Sequence, residues 1–272
     1  MNTIRWAVFI VAALAMNFPV LVTLITSLKT ESEIASNPGL WINELTLDNY
    51  RNVFAMSDRF DVTAYLTNSA IAASIGAILP LVICFPAAFA MARTGYGTRY
   101  LMPAVVNLRA VPLIIFAIPI YMMYQPLHLL DSKLGLGLIL AVVNLPLALM
   151  MSLNAINDIP REIEEAAKID GASTLQTMLR VAIPLSRSIL ATTLVFGFIT
   201  AWNEFLFGLM LTTRDAIPMT VGASFFFAAG GGGVQWGVAA AVMIIGTIPP
   251  TLLGLVIYRQ IGSSIMSGAV KG

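Results

Sequence analysis

The sequence predicts an all-α membrane protein of six transmembrane helices, with one polar, helix-forming loop between the fourth and fifth. Three observations predict it. Of 272 residues, 58% are hydrophobic and only 11% charged, whereas a soluble domain carries about 25% charged residues. Six apolar runs are long enough to cross a hydrocarbon core, which takes about 20 residues in helical form. Backbone groups in lipid must be satisfied within the segment, so such runs are helices. The lone Cys84 and lone His128 leave no intrachain disulfide and no Cys or His cluster to hold a metal.

The first run covers 6–28. Ala13-Leu14-Ala15 is similar to a signal cleavage site, but the apolar stretch continues through Val20, Leu21, Val22, Leu24 and Ile25, which predicts an uncut anchor. The polar segment 29–63 that follows is too long for a turn and too short for a globular domain. Within it, Thr46-Leu47-Asp48-Asn49-Tyr50 reads as the start of a surface helix, with Thr46 or Asp48 as cap. The second and third runs, 65–91 and 101–124, are joined by the short turn Thr94-Gly95-Tyr96-Gly97 and so are expected to be antiparallel neighbours. A short turn at 125–133 holds a solvated His128 and leads to the fourth run, 134–153. The fifth and sixth runs cover 189–211 and 237–258, and between them Phe225-Phe226-Phe227 precedes four glycines at 230–233. Pro112, Pro119, Pro146, Pro249 and Pro250 fall inside runs, where membranes tolerate them as kinks. That many kinks suit a single transmembrane domain, 1–272, that moves.

Orientation follows basic residues rather than net charge. One face holds Arg5, Arg93, Arg99, Arg161, Lys168, Arg180, Arg187, Arg259 and Lys271. The other holds Lys29, Arg51, Arg59, Lys133 and Arg214. The first set is the larger, which predicts cytoplasmic termini and a cytoplasmic loop around Glu165.

That loop, 160–185, is the most informative part of the chain. Pro160 suits a first helical position, and Glu162, Glu164 and Glu165 then meet the positive end of the helix dipole. Arg161 with Glu165, and Glu164 with Lys168, are i,i+4 pairs. Ile163, Ala166 and Ala167 share a flat apolar face, and Gly171 is the expected stop. A second short helix carries Leu175, Met178, Leu179 and Ala182 on one face, and Pro184 marks the return toward the membrane. Physically the element either lies on its own bundle or on lipid, or enters a groove in a partner.

The motif Glu165-Ala166-Ala167, then Asp170-Gly171-Ala172 and Pro184, resembles the EAA loop of binding-protein-dependent ABC importer permeases. The resemblance implies that this loop is the coupling helix that docks into an ATPase. Ser27-Leu28-Lys29-Thr30 and Thr46-Leu47-Asp48-Asn49-Tyr50 resemble the first outer segment of the carbohydrate importers. Trp202-Asn203-Glu204-Phe205 is similar to a signature of their MalG-type subunit, and Arg109 with Pro112 to sugar and polyol members. The ending Gly268-Ala269-Val270-Lys271-Gly272 resembles that subunit's tail, with Ser267 where the family often has Ala. The implied fold is the type I ABC importer permease fold, in the bacterial inner membrane. The implied partners are a second, MalF-type permease subunit, a homodimeric ATP-binding subunit, a periplasmic or extracellular solute-binding protein, and a carbohydrate, with membrane lipid around the spans and no nucleic acid. The tail is implied to touch the ATPase. No Lys sits in a Gly-x-x-x-x-Gly-Lys-[Ser/Thr] pattern, so this chain is expected to be no enzyme and to carry no cofactor, with ATP and Mg bound by the partner.

Within the spans, a charge at Glu204 must face protein or a watery cavity. It is expected either to make a structural contact, to Asn203 or Arg109, or to line the translocation path with Trp202 and Asn203. Arg109 is expected to snorkel or pair, and Trp202 to pack or to stack on a sugar ring. The rival reading is an ion-coupled secondary transporter, which needs intramembrane carboxylates or broken helices; only Glu204 qualifies as such a carboxylate. A non-sugar solute is the alternative within the importer class.

Overall fold

In the computed structural model, residues 2–55, 60–227 and 233–269 are described. The chain divides into two units, Met1–Leu66 with Met219–Ile248, and Thr67–Pro218 with Pro249–Gly272. Thirteen α-helices follow in order among the described residues: α1 (Asn2–Ser27), α2 (Glu31–Ser36), α3 (Asp48–Ala55), α4 (Val62–Thr94), α5 (Leu101–Asn107), α6 (Ile114–Tyr124), α7 (Lys133–Asn157), α8 (Arg161–Ile169), α9 (Thr174–Thr177), α10 (Ile183–Trp202), α11 (Leu206–Leu211), α12 (Met219–Phe225) and α13 (Trp236–Ala269). Five described helical segments are long and apolar enough to cross a membrane, and six if the bent pair Leu101–Ala110 and Ile114–Tyr124 is one span.

Two predicted spans are not straight rods. The third, 101–124, bends by 105° between Ala110 and Ile114. Pro112 lies in that break, where it has no helical N–H to lose and its predecessor Val111 takes the extended conformation (ψ 126°) that a following proline favours. The fifth, 189–211, ends as a helix at Trp202 and resumes at Leu206. At its other end the helix begins earlier than 189, because helical backbone runs unbroken from Thr174 to Trp202.

Pro184 therefore does not close the loop. It sits in the first turn of α10, just after a π-helical turn, Met178–Ala182. The Ile183 N–H reaches five residues back to the Met178 carbonyl. This wider turn moves the backbone away from the proline ring, which would otherwise press on the carbonyl four residues before it.

In the unit built on 67–218, small residues let helices approach closely. A Cβ at Gly137 would lie 2.7 Å from the Ile75 Cβ, and one at Gly76 2.8 Å from the Leu140 Cβ. Asn144, buried in α7, donates to the carbonyls of Gly76 in α4 and Gly197 in α10, at 2.9 Å each. Those carbonyls have a second lone pair to offer, so one amide ties three helices. Near the Arg93 end of α4, Cys84, Phe85, Ala88, Phe89 and Met91 pack with Leu149, Ile156, Ile159, Met178 and Ala182 into a buried core. That core is the floor under α8.

At the other end of α7, the short turn is pinned rather than free. Asp131 donates its N–H to the Leu211 carbonyl (2.7 Å). Its carboxylate accepts the backbone N–H of Thr213, Arg214, Asp215 and Ala216 at 3.0–3.1 Å, and the Thr213 hydroxyl. Burial alone would raise this carboxyl's pKa, but the N–H donors outweigh it and hold it at about 2. His128, in the same turn, is exposed as expected.

In the unit built on 1–66 and 219–248, the Thr46 hydroxyl accepts the Asp48 N–H (3.1 Å) from one place before the cap position, which Leu47 holds, its carbonyl accepting from Arg51. Gly222 packs face-on to Tyr65, where a Cβ would meet the ring at 2.1 Å. Residues 230–232 of the glycine loop lie outside the described residues.

Candidate functional site: the loop after the fourth span

Helix α8 begins at Arg161, with Pro160 one place earlier than expected, at the cap position. Its end is a complete glycine cap. The Gly171 N–H donates to Lys168 O (3.0 Å) and the Ala172 N–H to Ala167 O (2.9 Å), with Gly171 at φ +87°. α9 opens with a reciprocal cap between Ser173 and Gln176, a signal present in the sequence but overlooked.

Glu164 is not paired with Lys168. It is buried and bonded to Arg93, whose Nε donates to both carboxylate oxygens at 3.0 and 2.8 Å. The same guanidinium donates through Nη2 to the carbonyls of Ile156 (2.8 Å) and Ile159 (3.4 Å). One arginine thus fastens α8 to the ends of both α4 and α7. With Glu164 turned inward, the helix presents the opposite face to solvent. Ile163 is 43% exposed and Ile169 86% exposed. Glu165, Ala166 and Asp170 are exposed as well, and Ala167 and Ala172 are half-buried. The outer apolar face is therefore Ile163, Ala166 and Ile169, not the expected set with Ala167. The second predicted face also splits: Met178 and Ala182 are buried, whereas Leu175 and Leu179 are exposed.

The Trp202-Asn203-Glu204 signature occupies the break after α10. Trp202 is 3% exposed and stacks on Phe198 at 5.6 Å between ring centroids, the packing role expected of it. Asn203 is exposed and donates to the Ile199 carbonyl. Glu204 accepts from the N–H groups of Leu206 and Phe207, both at 2.9 Å, and of Gly208. It caps the restarting helix, in the way an acid satisfies free N–H groups at a helix start. One cavity of this unit, about 310 Å³, is lined by Arg109, Val111, Phe116, Val143, Thr200 and Phe207, among others. Arg109 and Thr200 are its polar lining. The Gly268 and Ala269 backbone closes α13, and Val270, Lys271 and Gly272 lie outside the described residues.

A model of the family described as binding-protein-dependent transport system inner membrane component matches residues 82–267, which include α8 and the signature. The chain belongs to that family. This permease is 34% identical to the trehalose transport system permease protein SugB of Mycobacterium tuberculosis, over 98% of this chain and 97% of the relative. It is 31% identical to the trehalose/maltose transport system permease protein MalG of Thermococcus litoralis (97% and 94%). It is also 30% identical to the sulfoquinovosyl glycerol transport system permease protein SmoH of Agrobacterium fabrum (94% and 89%). Its fold is shared with a chain of a bacterial ABC transporter that imports the acidic polysaccharide alginate, at TM-score 0.76 and 19% identity over 95% of each. The permease is thus an all-α, multi-pass importer subunit of the type I fold.

Two features of the permease escaped the sequence reading for different reasons. Ile169 follows a lysine and precedes the stop, and only the inward turn of Glu164 shows that it points out. Arg93 lies 71 residues from Glu164, far beyond any helical spacing.

Proposed function

We propose that the chain is a permease subunit of an ATP-driven importer for a carbohydrate, and that α8 is the coupling helix gripped by a separate ATPase. The observation that carries this reading is the arrangement of α8: a buried ion pair on one side, and Ile163, Ala166 and Ile169 bare on the other. An exposed isoleucine on a short, firmly anchored helix suits insertion into a groove. The relatives' names supply the solute class, since SugB is named for trehalose, MalG for trehalose and maltose, and SmoH for sulfoquinovosyl glycerol.

In this reading a homodimeric ATPase binds ATP and Mg, and its closure drags α8 with Glu165, Ala166, Ala167, Asp170, Gly171 and Ala172. Arg93 passes the pull to α4 and α7. A MalF-type subunit completes the pore, and a binding protein outside delivers the solute. Both termini are cytoplasmic, and Gly268 to Gly272 lie against the ATPase. The break at 111–113 and the π turn before Pro184 are where the helices yield.

The test is reconstitution with the ATPase and binding protein, where vanadate should abolish uptake. An Ala166→Cys variant should cross-link to the ATPase groove. Gly171→Val should still insert, because nothing lies within 4 Å of the added Cβ. Its φ of +87° is costly for a β-branched residue, by about 1–3 kcal/mol, so binding-protein-stimulated ATPase activity should fall. Normal stimulation in an inserted Gly171→Val permease would count against docking through α8.

Arg109 is the cavity's cation, and in this reading it meets solute hydroxyls on the path. Arg109→Ala should lower uptake about tenfold, the worth of one charge-assisted hydrogen bond, while ATPase co-purification stays intact. Uptake unchanged in Arg109→Ala would remove the residue from the path.

A further inference from the structure

The segment between α1 and α3 is a compact, internally bonded loop whose use the importer reading does not account for. Lys29 is buried, and its Nζ donates to the carbonyls of Asn37 (3.0 Å) and Gly39 (2.6 Å). The Glu33 carboxylate accepts the N–H groups of Asn43 (2.6 Å) and Glu44 (3.0 Å), which help lower its pKa. The Thr46 N–H donates to Leu28 O (2.9 Å), so the loop closes on its own start. Lys29 and Glu33 spend their polar atoms inward, while Asn43 and Glu44 stay exposed. Beside them the loop shows large apolar groups outward: Trp41 is 84% exposed, Leu45 70%, Leu47 56% and Leu40 48%.

Two spans end on this loop. α1 stops at Ser27, whose carbonyl accepts from the Asn49 amide (2.9 Å) and whose hydroxyl meets the Tyr50 hydroxyl (2.8 Å). α13 starts at Trp236, and the Gly237 N–H donates to the Glu31 carboxylate (2.8 Å). The packing is close, since a Cβ at Gly237 would lie 2.6 Å from the Asn49 amide atoms. The ends of two membrane helices fix the level of the bilayer surface, and the 38–47 segment is tied to that level at Gly39, through the Lys29 side chain, and at Thr46. Trp236, 53% exposed at the same level, is a second aromatic there. Tryptophan collects at this depth because its ring is apolar and its N–H wet.

We infer that residues 38–47 lie in the headgroup region of the leaflet at the Ser27 end of α1, with Trp41 as the anchor and Leu40, Leu45 and Leu47 dipping toward the acyl chains. The occupant of the face is lipid, by continuity with the two spans that end on it. The loop then gives the α1–α13 unit a fixed point at the surface during transport. This rests on the membrane spans alone and not on the solute or the ATPase.

The test compares tryptophan emission of the assembled transporter in nanodiscs with that of its Trp41→Phe variant. At 84% exposure the substitution removes the reporter without disturbing a core, and matched thermal unfolding of the two confirms it. The difference spectrum should be blue-shifted, resistant to aqueous iodide, and quenched more by lipids brominated near the headgroup end of the chain than near the methyl end. Red-shifted, iodide-quenched emission would overturn the inference, as would emission shielded only after the binding protein is added. Emission shielded from iodide and from both bromolipids would mean a protein partner covers Trp41, and would overturn it equally.

Discussion

A Glu164→Ala permease is expected to lose binding-protein-stimulated uptake and about 3–5 kcal/mol of stability, the usual cost of removing one partner from a buried ion pair. The side chains of Arg93 and Glu164 are 14% and 4% exposed. Truncating the glutamate leaves a guanidinium under α8 with only the Ile156 and Ile159 carbonyls. Arg93→Ala should be as severe, because it strands a carboxylate and frees both carbonyls. Arg93→Lys should rescue only part, since an ammonium cannot fork across two carboxylate oxygens and reach a carbonyl as well. The double variant Arg93→Met, Glu164→Met removes both charges and should recover most of the stability, as buried pairs replaced by apolar groups often do. It should not recover stimulated ATPase activity, because the bond that aims α8 is gone. Thermal unfolding and stimulated ATPase, measured on the same four proteins, separate anchoring from folding. Single variants that unfold and transport as the parent does would reject the role assigned to this pair.

Long apolar runs made the all-α membrane fold legible, because hydropathy and length are local properties. The motif around Glu165 was legible for the same reason: α8 and its Gly171 stop both follow from neighbours in sequence. What failed is what depends on distant partners. Glu164 has a good i,i+4 partner in Lys168, yet the fold gives it Arg93, because a buried forked bond outweighs an exposed helical pair of a few tenths of a kcal/mol. Glu204 reads as a costly charge inside a span. The helix instead breaks beside it, and the carboxylate satisfies the N–H groups that the break frees. Pro184 reads as the return toward the membrane, and a π turn lets one unbroken helix make that return through it. In each case a local rule identified a conflict correctly and could not say how the backbone resolves it.

The second large effect is expected at Asp131, which sequence alone places in an unremarked turn. Asp131→Ala should cost about 2–3 kcal/mol, near the value of a single charge-assisted hydrogen bond. Four N–H donors are involved, but their bonds are shared and the site is partly exposed, so their worth does not add. Asp131→Asn is the sharper probe. Asparagine accepts the positive φ of 49° found there, keeps one acceptor oxygen and removes the charge. The carboxyl's pKa is about 2 in the folded protein, against about 3.9 in an unfolded chain. The group is depressed on folding, so its stabilisation is complete above the unfolded value and drains away as pH falls from about 4 through about 2. The gap in unfolding temperature between parent and Asp131→Asn should therefore be constant from neutral pH down to about 5, then close toward pH 2. Carboxylates elsewhere shift both curves together, which is why the difference is the quantity to follow. A gap that persists unchanged at pH 2, or no gap at neutral pH, would mean that the Asp131 charge does not hold the 213–216 backbone in place.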